Sequence, residues 1–258
     1  MQSGPARGGL LYTQKKQYYP PLPPRPDIPR QLMNESTSTP SGDAPERRAG
    51  PDRAPAETAP GRCLLYAVFS DITASPFDAE PAVAGEPLAV AELGLPYALT
   101  DPEPLLAEWR GADTDALKRE YSGLFEVGSD GPPVPIREDL HRNQPAKVKE
   151  SIVRFYDYFG YGLSEKFQWA PDHLSVELEF MHYLAYKESE AAAESDALAY
   201  QLAQHDFCER HLVHWVPELA ERAAAQQPDA LYSRLLAALS DFLQNDFAWQ
   251  KSTINHGV

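Results

Sequence analysis

The feature that most constrains this chain is a period. Val148, Ile152, Phe155, Tyr156 and Phe159 step by four, three, one and three, which puts five apolar side chains on one face of a helix. Gly160 follows as a natural terminator, because glycine accepts the left-handed conformation in which helices often end. The same period recurs from Arg62 onward. Leu64, Leu65, Ala67, Val68 and Phe69 open a first helix. Asp101-Pro102 reads as a cap followed by a proline in the first turn, ahead of Leu105, Leu106 and Trp109. Asp113 or Thr114 can cap the next helix, with Leu117, Tyr121 and Leu124 inward. Leu174, Leu178, Met181 and Ala185 form another stripe, and Leu198, Leu202, Leu212 and Trp215 predict a long helix ending before Pro217. Asp229 is the expected cap of a last helix carrying Leu231, Leu235, Leu239, Phe242 and Leu243. No segment alternates as a strand would. Val127 to Pro145, with Asp130-Gly131 beside Pro132 and Pro133, reads as a loop interrupting the bundle. Residues 62–258 are therefore expected to form one all-α helical-bundle domain of eight or more helices.

Residues 1–61 behave differently. Twelve of the 25 prolines lie in residues 1–62, with nine Lys and Arg against six Asp and Glu. Tyr18 to Pro26 favours polyproline II, since each ring fixes φ and removes a donor. Ser36 to Pro60 is too poor in apolar groups to offset the entropy of ordering. A disordered, proline-rich extension over 1–61 is the expectation. Gly9 to Tyr12 is far too short for the apolar region of a secretory signal, and Arg47-Arg48 is followed by Ala-Gly-Pro rather than an apolar run. A cytoplasmic location follows as an expectation.

Charge narrows the function. The chain carries a formal −15, and 32 of its 38 acids fall after residue 62 against 14 bases. Nucleic-acid binding needs clustered Lys and Arg, so that class is disfavoured. No apolar run reaches the ~20 residues of a membrane span, so no integral membrane association is expected. Cys63 and Cys208 stand alone without a C-x-x-C, which argues against a disulfide framework or a cysteine zinc site. There is no glycine-rich phosphate loop and no G-x-S-x-G elbow.

Two arrangements could carry chemistry. Glu138/His141 and Glu179/His182 are both Glu-x-x-His, and two such pairs with further carboxylates make a di-iron site in helical bundles. His211 and His214 are a third i, i+3 pair. A helical metalloenzyme is thus one reading. Asp172-His173 opens the other. Pro171-Asp172 breaks the preceding segment and places a carboxylate at the positive end of a helix. His173 and Glu177 share its face, with Leu174 and Leu178 beside them. An acidic and imidazole edge is expected to border an apolar groove. The plainer alternative is a helix cap and its neighbours.

Four segments resemble one family. They are Leu64-Leu65-Tyr66 with Ser70; Glu120-Tyr121-x-x-Leu124-Phe125-Glu126-Val127-Gly128; Pro171-Asp172-His173-Leu174-x-x-Glu177-Leu178-Glu179-Phe180-Met181; and Phe207-x-x-x-His211-Leu212-x-x-Trp215-Val216-Pro217. In this order they resemble the TorD/DmsD/NarJ family of redox-enzyme maturation chaperones, and the subgroup serving ethylbenzene, dimethyl sulfide or selenate dehydrogenase-type enzymes. The resemblance implies an all-helical, non-enzymatic protein that needs no cofactor of its own. It implies a partner, the apo-precursor of a molybdenum oxidoreductase catalytic subunit with its twin-arginine leader, held until cofactor insertion. Asp172 and Glu177 would pair with guanidinium groups, with His173 beside them. Tyr121, Phe125, Leu174 and Leu178 would floor a groove for an apolar stretch. A third reading makes the proline-rich tail the functional part of a regulatory scaffold.

Overall fold

The computed structural model describes residues 48–49, 53–77, 83–129, 131–163, 168, 170–192 and 194–255. Most of the proline-rich extension, Tyr18 to Pro26 included, lies outside them. The described chain is all-α, as expected. Its helices are α1 (Pro55–Thr73), α2 (Glu103–Gly111), α3 (Thr114–Phe125), α4 (Pro145–Phe159), α5 (Leu174–Ser189), α6 (Glu194–Phe207), α7 (Val216–Gln226) and α8 (Leu231–Thr253). A two-residue ladder joins β1 (Arg48–Ala49) antiparallel to β2 (Ile254–Asn255). No described helix is long and apolar enough to cross a membrane.

α1 and α5 pack along each other and form the axis of the bundle. Both are buried around most of their circumference, which is why neither reads as a one-sided stripe. α8 closes one side: Phe242 stands edge-on to Tyr66 and stacked on Phe69, with ring centroids 4.8 and 5.6 Å apart. Phe180 at the centre of α5 meets Tyr156 of α4 and Phe207 of α6 at 4.8 and 4.9 Å. Gly61 lets the following loop touch α1, because a Cβ there would lie 2.2 Å from the Leu93 carbonyl oxygen.

Several local expectations hold. The Asp113 carboxylate accepts from the Ala116 N–H and caps α3. Asp101 accepts from the Glu103 N–H at 2.9 Å, but the cap of α2 is Pro102, one residue later than expected, and the proline of its first turn is Pro104. Gly160 ends α4 with φ of 65°.

Others need correction. The body begins at Pro55, not Arg62, because Arg53 and Arg62 are drawn into a buried network that α1 must reach. Arg62 is fully buried and bonds Asp246 (2.5 Å), Gln204 (2.6 Å) and Glu188 (3.1 Å). Arg53 bonds the same Glu188 at 3.2 Å and Thr253 at 3.3 Å. Pro217 does not stop a long helix. α6 ends at Phe207, a π-turn spans Cys208–Leu212, and Pro217 sits in the first turn of α7, where its missing N–H costs nothing. Asp229 does not cap α8. The Glu120 carboxylate reaches across from α3 and accepts the Tyr232 N–H at 2.6 Å.

Candidate functional site

The turn before α5 positions the expected site. His173, not Asp172, is the N-cap: its Nδ1 accepts from the Ser175 N–H at 3.3 Å and lies 2.8 Å from the Ser175 hydroxyl. An Nδ1 that accepts belongs to a neutral ring. Burial, aided by the Arg137 charge, pushes the His173 pKa down to about 4. Nε2 lies 3.5 Å from the Tyr121 hydroxyl.

Relieved of capping, Asp172 turns towards the segment between α3 and α4. Its Oδ2 accepts the Asp139 N–H at 3.1 Å, and its carbonyl accepts the Glu138 N–H at 3.0 Å. Oδ1 lies 3.6 Å from Arg137 Nε and 4.0 Å from Lys149 Nζ. The Leu174 N–H in turn donates to the Ile136 carbonyl at 3.1 Å, and Val134 N–H donates to Leu124 at 2.9 Å. Residues 134–141 thus form a strap across the start of α5, ending in a 3-10 turn at Glu138–His141.

The strap corrects the picture of an open anionic edge. Asp172, Glu177 and Leu174 are wholly buried, Tyr121 and Phe125 nearly so, and only His173 among the six is half-buried. The physical reason is apolar. Val134 and Ile136 carry too much hydrocarbon to stay in water, and they bury themselves in the bundle. The six residues are nevertheless brought into one neighbourhood. Tyr121 and Phe125 pack edge-on at 4.9 Å, each also against Tyr232. Beside them lies a small apolar hollow lined by Ile72, Phe125, Ile136, Leu235 and Leu236.

Beneath the strap, carboxyl groups meet in pairs. Glu177 has both oxygens buried without a well-formed hydrogen bond. Burial, the neighbouring Glu138 and Asp172 raise its pKa well above the carboxylate range, against the relieving Trp215 indole N–H. Burial and the hydrogen bond with Asp139 raise Asp172 to about 6. Burial also works to raise Asp139, but Asp172, Lys149 and Arg137 outweigh it and hold that carboxyl low. The strap is therefore fastened by Arg137, Lys149 and main-chain hydrogen bonds over carboxyl groups whose burial and mutual proximity oppose ionisation.

The Glu-x-x-His pairs do not assemble. Glu138 is bonded to His211 Nδ1 (2.8 Å) and Arg142 (3.0 Å), not to His141. His141 donates to the Pro135 carbonyl at 2.7 Å and faces Trp215. His182 donates to the Cys63 carbonyl at 2.9 Å, inside the α1–α5 packing. Among the described residues, the His, Cys, Asp and Glu ligand atoms that converge within 4.8 Å belong to His205, Asp206 and Glu209, outside both pairs. The reason is local: Glu138 and His141 lie in a 3-10 turn of the strap rather than on a bundle helix, and Glu138 is taken up by His211 and Arg142 while His141 is held by Pro135 and Trp215.

Sequence reasoning missed the strap and its fastenings, Arg137, Asp139 and Lys149. The available signal was Ile136, an aliphatic residue between a proline and three charges, which has no reason to stay in a solvated loop.

Residues 91–221 match the family described as nitrate reductase delta subunit, and the chain belongs to that family. That span holds three of the four resembling segments; Leu64 to Ser70 lies outside it. The selenate reductase assembly chaperone protein of Thauera selenatis is 33% identical over 133 residues, 50% of this chain and 68% of that one. The chlorate reductase assembly chaperone protein of Ideonella dechloratans is 34% identical over 116 residues, 44% and 60% respectively. Chaperone protein TorD of Vibrio cholerae is 29% identical over 109 residues, 42% and 48%. The matches thus span about half to two thirds of these relatives' lengths. The resemblance to redox-enzyme maturation chaperones is borne out, and its selenate branch is represented among the relatives.

Proposed function

We propose that this protein is a cytoplasmic assembly chaperone for a molybdenum oxidoreductase, not an enzyme. It binds the apo-precursor of the catalytic subunit, twin-arginine leader included, and holds it until the cofactor is inserted. The observation that carries the reading is the family match over residues 91–221, which contains the Asp172-His173 turn. The relatives named as assembly chaperones support the partner class. Physics supports the partner's charge. A body with 32 acids against 14 bases attracts a cation-bearing leader from a distance, and a helical trough accepts its apolar stretch.

A pull-down with the precursor of a molybdoenzyme catalytic subunit from the same organism tests this. Retention of the leader-bearing precursor but not of the leaderless subunit places recognition on the leader. Retention of both places it on the mature region. Retention of neither removes the reading.

A further inference from the structure

Where the sequence reading placed a trough for a client, the chain lays its own strap. Ile136 is buried and forms one wall of the small hollow beside Phe125, Ile72, Leu235 and Leu236. The next side chain, Arg137, turns to the Asp172 and Asp139 carboxylates, at 3.6 and 2.8 Å. Arg137 pairs with His173 as an antiparallel bridge. Backbone hydrogen bonds from Val134, Glu138 and Asp139, and one accepted by Ile136, fix the register. This is recognition of an extended peptide: main-chain bonds supply the hold, and one apolar and one cationic side chain supply the choice.

The seam under the strap is also poorly satisfied. Glu177 Oε1 and Oε2, Asp172 Oδ1 and Asp139 Oδ1 are buried without a hydrogen-bond partner. Buried polar groups are almost always bonded, so such a concentration marks a place that opens cheaply. Leu140, at the strap's end, is 52% exposed, and Val127, just before it, 65%.

We propose that Val134–Leu140 is a resident self-ligand, and that an extended client segment carrying an aliphatic residue followed by arginine displaces it. The inference rests on the chaperone reading for its client, but the trough's chemistry can be tested without one. A strap on a short tether competes at an effective concentration in the millimolar range. Weakening the strap must therefore strengthen binding in trans.

The probe is a fluorescein-labelled peptide of residues 134–141, titrated against the full chain by anisotropy. Arg137→Ser, which keeps Ile136 in the core, and the double variant Ile136→Ser/Arg137→Ser should bind it at least about tenfold more tightly than the parent. Adding Asp172→Asn should remove that gain. Equal binding by parent and variants, with circular dichroism confirming the fold, overturns the inference. In a second arm, hydrogen exchange is followed with the molybdoenzyme precursor bound. Loss of protection at the Val134, Glu138 and Asp139 amides supports displacement. A bound precursor with those amides still protected overturns the strap and spares the chaperone. If no precursor is retained, the chaperone reading falls and takes the client half of the proposal with it, while the peptide arm still decides what the trough accepts.

Discussion

Two buried polar regions of this molecule follow opposite rules. Around Arg62, opposite charges alternate: Arg53, Glu188, Arg62 and Asp246 form a chain, with Tyr66, Gln204 and Gln250 completing the hydrogen bonds. Under the strap, like charges meet: Glu138 faces Glu177, and Asp139 faces Asp172. The first region joins α1 to α5, α6 and α8 and fastens the residues before α1. The second fastens eight residues to the start of one helix. A charge lattice that is fully paired holds; acids that need protons to coexist release. The difference teaches where the molecule is built to stay and where it is built to move.

The largest expected effect breaks the first region. Arg62→Ala leaves Asp246 and Glu188 buried without their central cation. Breaking a buried ion pair from one side costs about 3–5 kcal/mol. Urea unfolding should show a midpoint lowered accordingly, with the whole bundle involved. A loss under about 1 kcal/mol would mean water reaches the network and the comparison fails.

Next in size is Ile136→Ala in the strap. Truncating a buried aliphatic side chain costs about 2–5 kcal/mol where the loss is global. Here the cost should fall on the strap alone. The amides of Val134, Glu138 and Asp139 should lose hydrogen-exchange protection while those of α5 and α8 keep theirs. Equal losses everywhere would make the strap part of the core and erase the contrast.

These two regions also mark how far the sequence is legible. The stripe Val148 to Phe159 and its Gly160 terminator were readable because period and turn chemistry are local. So was Asp113, whose capping partner Ala116 lies three residues away. The start of the body at Pro55 was not readable, because Arg53, just before it, is held by Glu188 and Thr253, 135 and 200 positions downstream. Glu120 in place of Asp229 as the α8 cap is the same kind of event: a distant carboxylate outcompetes a neighbouring one. Asp172 was expected at an exposed edge and is buried instead. Its burial depends on the strap: Ile136 between Pro135 and three charges signals a residue that leaves solvent, but the surface it buries against is tertiary and no local pattern names it. The resemblance to the family supplied what composition could not, the class of partner.

A smaller effect sharpens the comparison through pH, and the two regions should respond in opposite directions. Burial works to raise Asp246 and Glu188, but the arginines prevail and hold both below the usual carboxylate range. That contribution is present above about pH 4 and is lost as pH falls. Burial and Asp139 raise Asp172 to about 6, and burial and Glu138 raise Glu177 as well, so the closed strap holds protons more tightly than the open one. Its closure is favoured below about pH 4 and weakens as pH rises through about 6. The facing groups are Asp139, Arg137, Glu138 and His211 from the strap side and the π-turn, Lys149 and Tyr156 from α4, and Trp215. Asp139, held low, acts in the other direction and trims the effect. Strap protection factors should fall by about tenfold between pH 5 and pH 7.5, and Asp172→Asn should flatten that slope. A slope that survives the substitution would assign the proton elsewhere.

The smallest expected effect is Glu177→Gln. Burial and the Glu138 and Asp172 carboxyls oppose the charge of this carboxyl and raise its pKa. Glutamine has nearly the same shape and cannot ionise, so it removes the opposed charge without opening a cavity, and the folded chain should lose little stability. Above neutrality the variant should become the more stable protein, since the parent must either keep a proton against rising pH or open the strap to shed it. Denaturation of parent and variant at pH 6 and pH 9 separates the possibilities. A variant that is less stable at both values would show that Glu177 is ionised and paired, and the strap would then be fastened in the same way as the network around Arg62.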